Sequence, residues 1–290
     1  MSETTIDSAG QVETARTVKP PRRVPKSLII GGAIVGMFLV LAIIGPYITP
    51  YPFDKFHFGS RLAPPSADFW WGTDRYGRDI FSRVIHGTSM TVFMAGTGTF
   101  IGVFFGLLIG LFSGYVGGWI DNVIMRIMDV ILGFPAFLLA IAIVAVLGPG
   151  LRNALLAIAI VTLPAYARVM RASVLSIKEL DYVAASRALG ASGTRILLVR
   201  VLPNAMTPVV VLATLGVAGA ILDAAGLSFL GLGAQPPIPE WGSMLGSERN
   251  QVFSAPHLVF FPGIAIMITV LGFNLLGDGM RDALDPRLND

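Results

Sequence analysis

The sequence contains no cysteine and little charge. Without cysteine it can form neither a disulfide framework nor a thiolate metal site. Only 13% of the 290 residues are charged and 54% are hydrophobic, whereas soluble domains carry about 25% charged residues. The three histidines, His57, His86 and His257, lack metal-ligand spacing. The composition therefore excludes a disulfide-stabilised domain and favours a protein that crosses a membrane several times.

The chain also lacks a concentrated basic surface, although its net charge is +3. Its Lys and Arg residues occur in short segments between apolar runs, which is typical of membrane loops rather than of a nucleic-acid-binding face. We expect no nucleic-acid partner. The sequence has no G-x-x-x-x-G-K-[ST] phosphate loop, so we expect no ATP site in this chain. We also expect no catalytic residue, no cofactor and no metal.

Six apolar runs approach the length of about 20 residues that a membrane-spanning helix requires. They cover residues 28–48, 91–115, 130–147, 154–169, 206–230 and 258–276. We predict an all-α membrane protein with six transmembrane helices. Its parts are a tail (1–26), a first helix with a long loop (27–89) and a five-helix core (90–290). Residues 49–90, rich in Pro, Asp, Arg and aromatics, are predicted to form an ordered loop outside the membrane.

The distribution of Lys and Arg predicts the sides of the membrane. Most of these residues lie in the tail, between the second and third spans, between the fourth and fifth spans, or after the sixth. Because loops rich in Lys and Arg remain in the cytoplasm, both termini are predicted to be cytoplasmic. The loop 49–90 is then extracytoplasmic, and the polar segment 176–204 is cytoplasmic.

Glycine recurs at every fourth position along and just beyond the second predicted span. The residues are Gly98, Gly102, Gly106, Gly110, Gly114 and Gly118. Residues four apart share a helix face, and small residues there let another helix approach closely. We predict that this stripe is a helix-packing surface, either within the chain or between subunits, rather than a sign of the general frequency of glycine in membrane helices.

The segment SIKELDYVAASRALGASGTRILLVRVLPN, residues 176–204, is polar although it lies between two apolar spans. Five apolar residues in it fall on one helical face, namely Ile177, Leu180, Val183, Ala184 and Ala188. Gly190 follows them where a left-handed C-terminal cap is expected. Ser192 or Thr194 can begin a second short helix before Pro203. Such a helical hairpin either lies in the lipid interface or contacts a soluble partner.

This hairpin resembles the cytoplasmic loop of binding-protein-dependent ABC importer permeases. The family pattern is E-A-A, three residues, Gly, nine residues, I-x-L-P, and the matching residues are Ala185, Gly190, Leu202 and Pro203. Three positions differ, since Ala184, Ser186 and Arg200 replace the family's Glu, Ala and Ile. The segments GTDRYGRDIFSRVIHG (72–87), LSFLGLGAQPPIPEWGSML (227–245) and GDGMRDALDPRL (277–288) are similar to the C-type permease subunit of dipeptide and oligopeptide importers.

The resemblance implies a permease subunit in the bacterial plasma membrane that imports di- or oligopeptides. It also implies several partners besides lipid. These are a second homologous permease, two ATP-binding subunits that hold ATP and Mg, an extracytoplasmic substrate-binding protein and the peptide substrate. The hairpin would then couple this chain to an ATP-binding subunit. The residues assigned to this role are Asp181, Ala184, Ala185, Gly190, Leu202 and Pro203.

Two polar residues in apolar spans are candidates for the translocation path. Asp223 lies deep in the fifth span, where a carboxylate is costly and is expected to face a cavity or a partner. It is either a pathway residue or a packed structural residue. Asn274, in the last span, lines the path or hydrogen bonds to another helix. Arg126 and Asp129, three residues apart, are predicted to form a local ion pair.

The extracytoplasmic loop carries a cluster of aromatic and charged residues: Trp70, Trp71, Asp74, Arg75, Tyr76, Arg78 and Asp79. They form either a rigid cap or a docking surface for a binding protein, and we favour a cap for the Asp and Arg pairs. Two alternative functions remain at this stage. One is the same architecture importing nickel or another small solute, and the other is a proton-coupled secondary transporter that uses Asp223.

Overall fold

The computed structural model describes residues 24–284, and this part of the chain consists of helices joined by loops. The helices are α1 (Lys26–Ile48), α2 (Ile80–Val116), α3 (Gly118–Leu132), α4 (Ala136–Leu147), α5 (Leu151–Lys178), α6 (Asp181–Ala188), α7 (Gly193–Ile196), α8 (Leu202–Phe229), α9 (Trp241–Glu248) and α10 (His257–Leu284). Most of the predicted tail and the end of the segment 277–288 lie outside the described residues.

Within residues 24–284, five helical segments are long and apolar enough to cross a membrane: α1, α2, α5, α10 and the segment Gly193–Phe229. α3 and α4 make a sixth span only as a bent pair, because they meet at 89°. The apolar run predicted as one span over 130–147 is therefore divided between the end of α3 and α4. The break follows Gly133, which ends α3, and Pro135 precedes α4. Proline disfavours the helical conformation in the residue before it.

The start of α2 also differs from the prediction. This helix begins at Ile80, so residues 80–90 are helical and the predicted loop 49–90 ends at Asp79. The Asp79 side chain accepts a hydrogen bond from the Ser82 backbone N–H at 2.8 Å, which satisfies a free donor of the first turn. The first turns contain Ser, Arg and His, so a hydropathy pattern places the beginning of the helix too late.

Two helix pairs form most of the packing. α2 runs parallel to α5, and α1 runs antiparallel to α10, while α8 packs against α2, α5 and α10. The main core includes Met94 of α2, Ile158 of α5, Ile221 of α8 and Trp241 of α9. We call the end of the bundle that carries α6 and α7 the hairpin end. The opposite end, which carries residues 49–79 and α9, is the loop end.

Candidate functional site

Five glycines of α2 face α5 and set the position of the helix that leads into the hairpin. These are Gly98, Gly102, Gly106, Gly110 and Gly114. A Cβ at Gly102 would lie 2.5 Å from Thr162 Oγ1, and one at Gly106 would lie 2.8 Å from the Leu163 carbonyl oxygen. Both distances are shorter than van der Waals contact, so a larger residue would separate the two helices. Gly118 is different, because it begins α3 and a Cβ there would meet no atom within 4 Å.

The hairpin begins where α5 ends. α5 continues to Lys178, Leu180 has extended backbone with ψ 146, and α6 starts at Asp181. The predicted continuous apolar face from Ile177 to Ala188 is therefore wrong. Of the residues on α6, only Val183 is buried, and Leu180 is exposed. An aspartate in the first turn of α6 interacts favourably with the partial positive charge of the helix N-terminus.

Gly190 ends the hairpin turn in the left-handed conformation, with φ +83, as predicted. Ser192 precedes α7 with extended backbone. The predicted second helix therefore begins after Ser192, but it is not short, because α7, the segment Leu197–Val201 and α8 form one helical run to Phe229. One π-helical segment, Leu197–Val201, lies within this long helix just before Pro203. Proline lacks the N–H of a regular helix, and a π-helical turn accommodates such a missing hydrogen bond.

The inner side of the hairpin is attached to the bundle. Val183 is buried in an apolar cluster that includes Leu111 of α2, Val174 of α5, Ile196 of α7 and Val201. At the end of α2, the Tyr115 hydroxyl donates a hydrogen bond to the Gly193 carbonyl oxygen at 2.9 Å. α6 therefore packs against α5 and α7, and α7 is hydrogen bonded to the end of α2.

The outer side of the hairpin is open to solvent. Leu189, the residue after α6, is 88% exposed. Most residues assigned to coupling lie on this open side, namely Asp181, Ala184, Ala185, Gly190 and Pro203. Leu202 is partly buried against the apolar cluster instead. The arrangement leaves α6 free to contact a soluble protein.

Polar contacts connect α3 and α2 to α5 near the hairpin. The Arg171 guanidinium donates two hydrogen bonds to the Asp121 carboxylate, at 2.6 and 2.5 Å, and Ser113 also donates to Asp121. Such bidentate pairs are strong and fix geometry. Lys178 Nζ donates to the Gly114 carbonyl oxygen at 3.1 Å. The end of α5 is thus held by two neighbouring helices.

The predicted ion pair between Arg126 and Asp129 is wrong. Asp129 pairs with Arg168 of α5, whose Nη2 atom lies 2.7 Å from the Asp129 Oδ1 atom. The pair forms because α3 packs against α5, a tertiary contact that local sequence spacing does not contain.

The two candidate path residues lie on different helices. Asp223 is partly buried on α8, and Asn274 is exposed on α10. Neither side chain has a hydrogen-bond or ion-pair partner among residues 24–284. For Asp223, a role in the translocation path and a role in helix packing both remain predictions. For Asn274, a role in the translocation path remains a prediction.

At the loop end, the charged residues predicted to form a cap hold a tight turn. The Asp74 carboxylate accepts hydrogen bonds from the backbone N–H groups of Tyr76 and Arg78, at 2.8 and 2.9 Å, and from Arg78 Nε at 2.6 Å. Gly77 has φ +76, which allows the chain to reverse. Trp71 stacks on Phe261 of α10 with a ring-centroid distance of 4.4 Å. These contacts are those expected of a rigid cap, and the alternative of a docking surface for a binding protein stays a prediction.

Two buried glutamates at the loop end were not identified from the sequence. The Glu240 carboxylate accepts hydrogen bonds from the backbone N–H groups of Gly242 and Ser243, at 2.9 and 2.8 Å, and so caps α9. Burial raises the pKa of Glu240. Glu248, at the end of α9, is paired with Arg75 at 3.4 Å, and burial raises its pKa as well. The available signal was a pair of acids flanking the short segment WGSMLGS.

The described residues form a bundle of long apolar helices with a short exposed helix between two of them. The bundle has the fold of an ABC-transporter permease. It aligns with a chain of the MetNI methionine ABC transporter, in an inward-facing conformation, over 70% of this chain and 97% of that chain. The TM-score is 0.58 at 20% sequence identity.

Residues 106–290 match the family described as "binding-protein-dependent transport system inner membrane component", and the chain belongs to this family. Residues 26–65 match the N-terminal TM domain of oligopeptide transport permease C. The family resemblance seen in the sequence is therefore confirmed.

Several curated proteins are similar over most of the chain. The dipeptide transport system permease protein DppC of Alkalihalophilus pseudofirmus is 49% identical over 91% of this chain and 86% of its own length. The di/tripeptide transport system permease protein DppC of Pseudomonas aeruginosa is 47% identical, covering 90% and 88%. The glutathione transport system permease protein GsiD of Salmonella typhimurium is 49% identical, covering 92% and 88%.

Proposed function

We propose that this chain is a transmembrane permease subunit of an ATP-driven ABC importer for short peptides in the bacterial plasma membrane. The observation that carries this proposal is the 49% identity, over 91% of the chain, to a dipeptide transport system permease protein. The similarity to a di/tripeptide permease supports the same substrate class. The family assignment favours ATP-driven import over the proton-coupled alternative.

The importer would contain a second homologous permease, two ATP-binding subunits and an extracytoplasmic substrate-binding protein. ATP and Mg would be held by the ATP-binding subunits. The exposed side of α6 would dock on one of them, and Val183 would transmit its displacement to α2 and α5. Because five glycines lock α2 against α5 and Arg171 connects α5 to α3, these helices would move together as a rigid group.

This mechanism requires the hairpin end to be cytoplasmic and the loop end to be extracytoplasmic, with both termini in the cytoplasm. The cysteine-free sequence makes this testable. Ser66 and Ser192 are both exposed and lie at opposite ends. In intact spheroplasts, Ser66→Cys should react with a membrane-impermeant thiol reagent and Ser192→Cys should react only after lysis. The opposite pattern would rule out docking of the hairpin on a cytoplasmic ATP-binding subunit.

The function is tested with the complete complex in proteoliposomes. We expect this chain to co-purify in mild detergent with a second permease and ATP-binding subunits, and to import dialanine when ATP and the binding protein are supplied. Uptake by this chain alone, driven by a pH gradient, would contradict the proposal. If the complex imports nickel and no peptide, the assignment as an ABC importer stands, and the substrate is nickel rather than a peptide.

Glutathione is a second candidate substrate, because a glutathione transport system permease protein is as similar to this chain as the dipeptide permease is. The same proteoliposomes distinguish the two. Excess unlabelled glutathione should compete with labelled dialanine if one importer takes both, and it should have no effect on uptake if the importer accepts dipeptides alone.

A further inference from the structure

An open cavity of about 360 Å³ lies at the loop end, between the turn at residues 74–78 and the segment that leads into α9. One wall contains Phe56, Tyr76 and the side chains of three arginines, Arg75, Arg78 and Arg83. The other wall contains Pro236, Pro237 and Ile238 together with Ser243 and Ser247. Cavities of roughly 300–1,000 Å³ with apolar walls and a few polar groups are typical of small-molecule sites.

The charge on the cavity wall is of one sign. Three of the described residues that line the cavity are arginines, and no Asp or Glu is among the described lining residues. The carboxylates that pair with these arginines, Asp74 and Glu248, instead line a smaller adjoining space of about 10 Å³ behind the wall. Asp54 also acts electrostatically on Arg83, so the groups that face the larger cavity without a carboxylate on its wall are those of Arg75 and Arg78.

The arginines are held in place but retain free donors. Arg78 uses its Nε atom to bind Asp74 at 2.6 Å, and Arg75 Nε lies 3.4 Å from Glu248. The Nη groups of these two arginines have no hydrogen-bond acceptor among residues 24–284. Both guanidinium groups lie over the Tyr76 ring, with their Cζ atoms 4.9 and 4.8 Å from its centroid. Stacking of this kind orients the planar fork that binds a carboxylate.

The neighbouring helix offers no competing site for an anion. The first backbone N–H groups of α9, at Gly242 and Ser243, already donate to the Glu240 carboxylate. The hydroxyl groups of Ser243 and Ser247 donate to backbone carbonyl oxygens one turn earlier, those of Glu240 and Met244. The arginines are therefore the donors that a bound anion would find.

We propose that this cavity binds the carboxylate of a short peptide, with Arg75 and Arg78 as donors and with the rings of Phe56 and Tyr76 against its apolar part. The inference rests on the proposed function, which makes the loop end the side from which peptide arrives. A peptide fits better than an acidic surface of the binding protein, because the site is a concave cavity, whereas a protein partner requires about 800 Å² of surface.

The test uses the assembled complex of both permeases and the ATP-binding subunits, without the binding protein. Binding of dialanine and of dialanine amide is measured by saturation-transfer NMR titration. Arg75 is 46% exposed, so Arg75→Gln should fold. Arg61→Gln is the matched control, because Arg61 is exposed on the same loop and does not line the cavity. We expect the Kd for dialanine to rise about tenfold in Arg75→Gln, because a charge-assisted hydrogen bond to the carboxylate is lost, and to be unchanged in Arg61→Gln.

Three further results complete the test. Dialanine amide should bind to the wild type about tenfold more weakly than dialanine does. Its affinity for the wild type and for Arg75→Gln should be the same. Arg75→Lys, which keeps the charge and loses the fork, should bind dialanine with intermediate affinity. If Arg75→Gln fails to assemble, the comparison of dialanine with its amide on the wild-type complex decides the proposal by itself.

The proposal is overturned if the wild-type complex binds dialanine no better than its amide, or if Arg75→Gln and Arg61→Gln bind dialanine equally. A loss of affinity for the binding protein in Arg75→Gln, with dialanine binding unchanged, would assign the cavity to that protein instead. Uptake by proteoliposomes supplied with the binding protein and ATP distinguishes failure of the cavity proposal from failure of the proposed function. If the wild type imports peptide and Arg75→Gln has no effect on dialanine binding, the cavity proposal is rejected and the proposed function is intact.

Discussion

α6 and α9 are both eight residues long, yet α6 has one buried residue and α9 has five. α9 lies against α8 and α10 at the loop end, where Trp241 is fully buried and its Nε1 atom donates to the Val84 carbonyl oxygen at 2.9 Å. α6 is attached at the hairpin end through Val183, its one buried residue, and through the Tyr182 hydroxyl, which donates to the Arg200 carbonyl oxygen at 3.5 Å. The comparison indicates that α9 is part of the rigid frame, while α6 keeps most of its surface exposed, as the proposed docking on an ATP-binding subunit requires.

One ion pair at the loop end is much less exposed to solvent than one at the hairpin end. At the loop end, the side chains of Asp74 and Arg78 are 5% and 9% exposed. At the hairpin end, those of Asp129 and Arg168 are 50% and 55% exposed. Breaking a buried pair leaves an uncompensated charge and is strongly destabilising, whereas exposed pairs contribute about 0–1 kcal/mol. The Asp74–Arg78 pair therefore fixes its part of the loop end more firmly than the Asp129–Arg168 pair fixes α3 on α5, where the more buried Arg171–Asp121 pair provides the stronger contact.

The largest effect is expected where the two ends are joined, along the contact of α2 with α5. In Gly110→Val, a new Cβ would overlap the Ala167 carbonyl oxygen and lie 2.8 Å from Met170 Cβ. Overpacking typically costs about 1–3 kcal/mol and more where backbone must move. We expect loss of the assembled complex, measured by size-exclusion chromatography after detergent extraction.

The matched control is Gly96→Val on the same helix, where a Cβ would meet no atom within 4 Å. It introduces the same β-branched residue into the helix without touching α5. Equal loss of assembly in both variants would show that helix propensity, and not the contact with α5, explains the requirement for glycine.

Much of this frame could be predicted from the sequence, because it depends on local patterns. The apolar runs located the membrane helices, the glycine period marked a helix face, and Gly190 was placed correctly in the left-handed conformation. The errors concern contacts between distant residues. Asp129 binds Arg168 of another helix, Glu240 is buried by the tertiary packing around it, and the 89° bend after Gly133 interrupts an apolar run whose hydropathy is continuous.

The second prediction uses one substitution at both ends. Gly190 and Gly148 have φ +83 and +93, and a Cβ at either position would meet no atom within 4 Å. Valine should therefore introduce similar backbone strain of about 1–3 kcal/mol at each. Because Gly190 sets the direction in which the chain leaves α6, Gly190→Val should reduce peptide uptake per ATP hydrolysed, or release the ATP-binding subunits.

Gly148→Val, between α4 and α5, serves as the control. It should lower the thermal stability of the complex to a similar degree while the ratio of uptake to hydrolysis stays at the wild-type value. Transport and ATPase content are measured together in proteoliposomes. Normal coupling in Gly190→Val would show that the hairpin is not the element that transmits movement.

The smallest effect is a pH dependence of stability at the loop end. Burial raises the pKa of Glu248 above its ordinary value of 4.5, against the opposing effect of Arg75. Because the pKa is raised in the folded state, the contribution of this group to the stability of the fold is fully present below pH 4.5 and is lost as pH rises through the folded-state pKa. Glu248→Gln imitates the neutral form, so its stability should not fall in this way. The melting temperature of Glu248→Gln relative to the wild type should therefore increase as pH rises from 4.5 to 7, with Glu179→Gln, an exposed glutamate at the hairpin end, correcting for the change in net charge. A relative melting temperature that falls over this range would show that the attraction of Arg75 outweighs burial, and that the loop end is stabilised by the ionised pair.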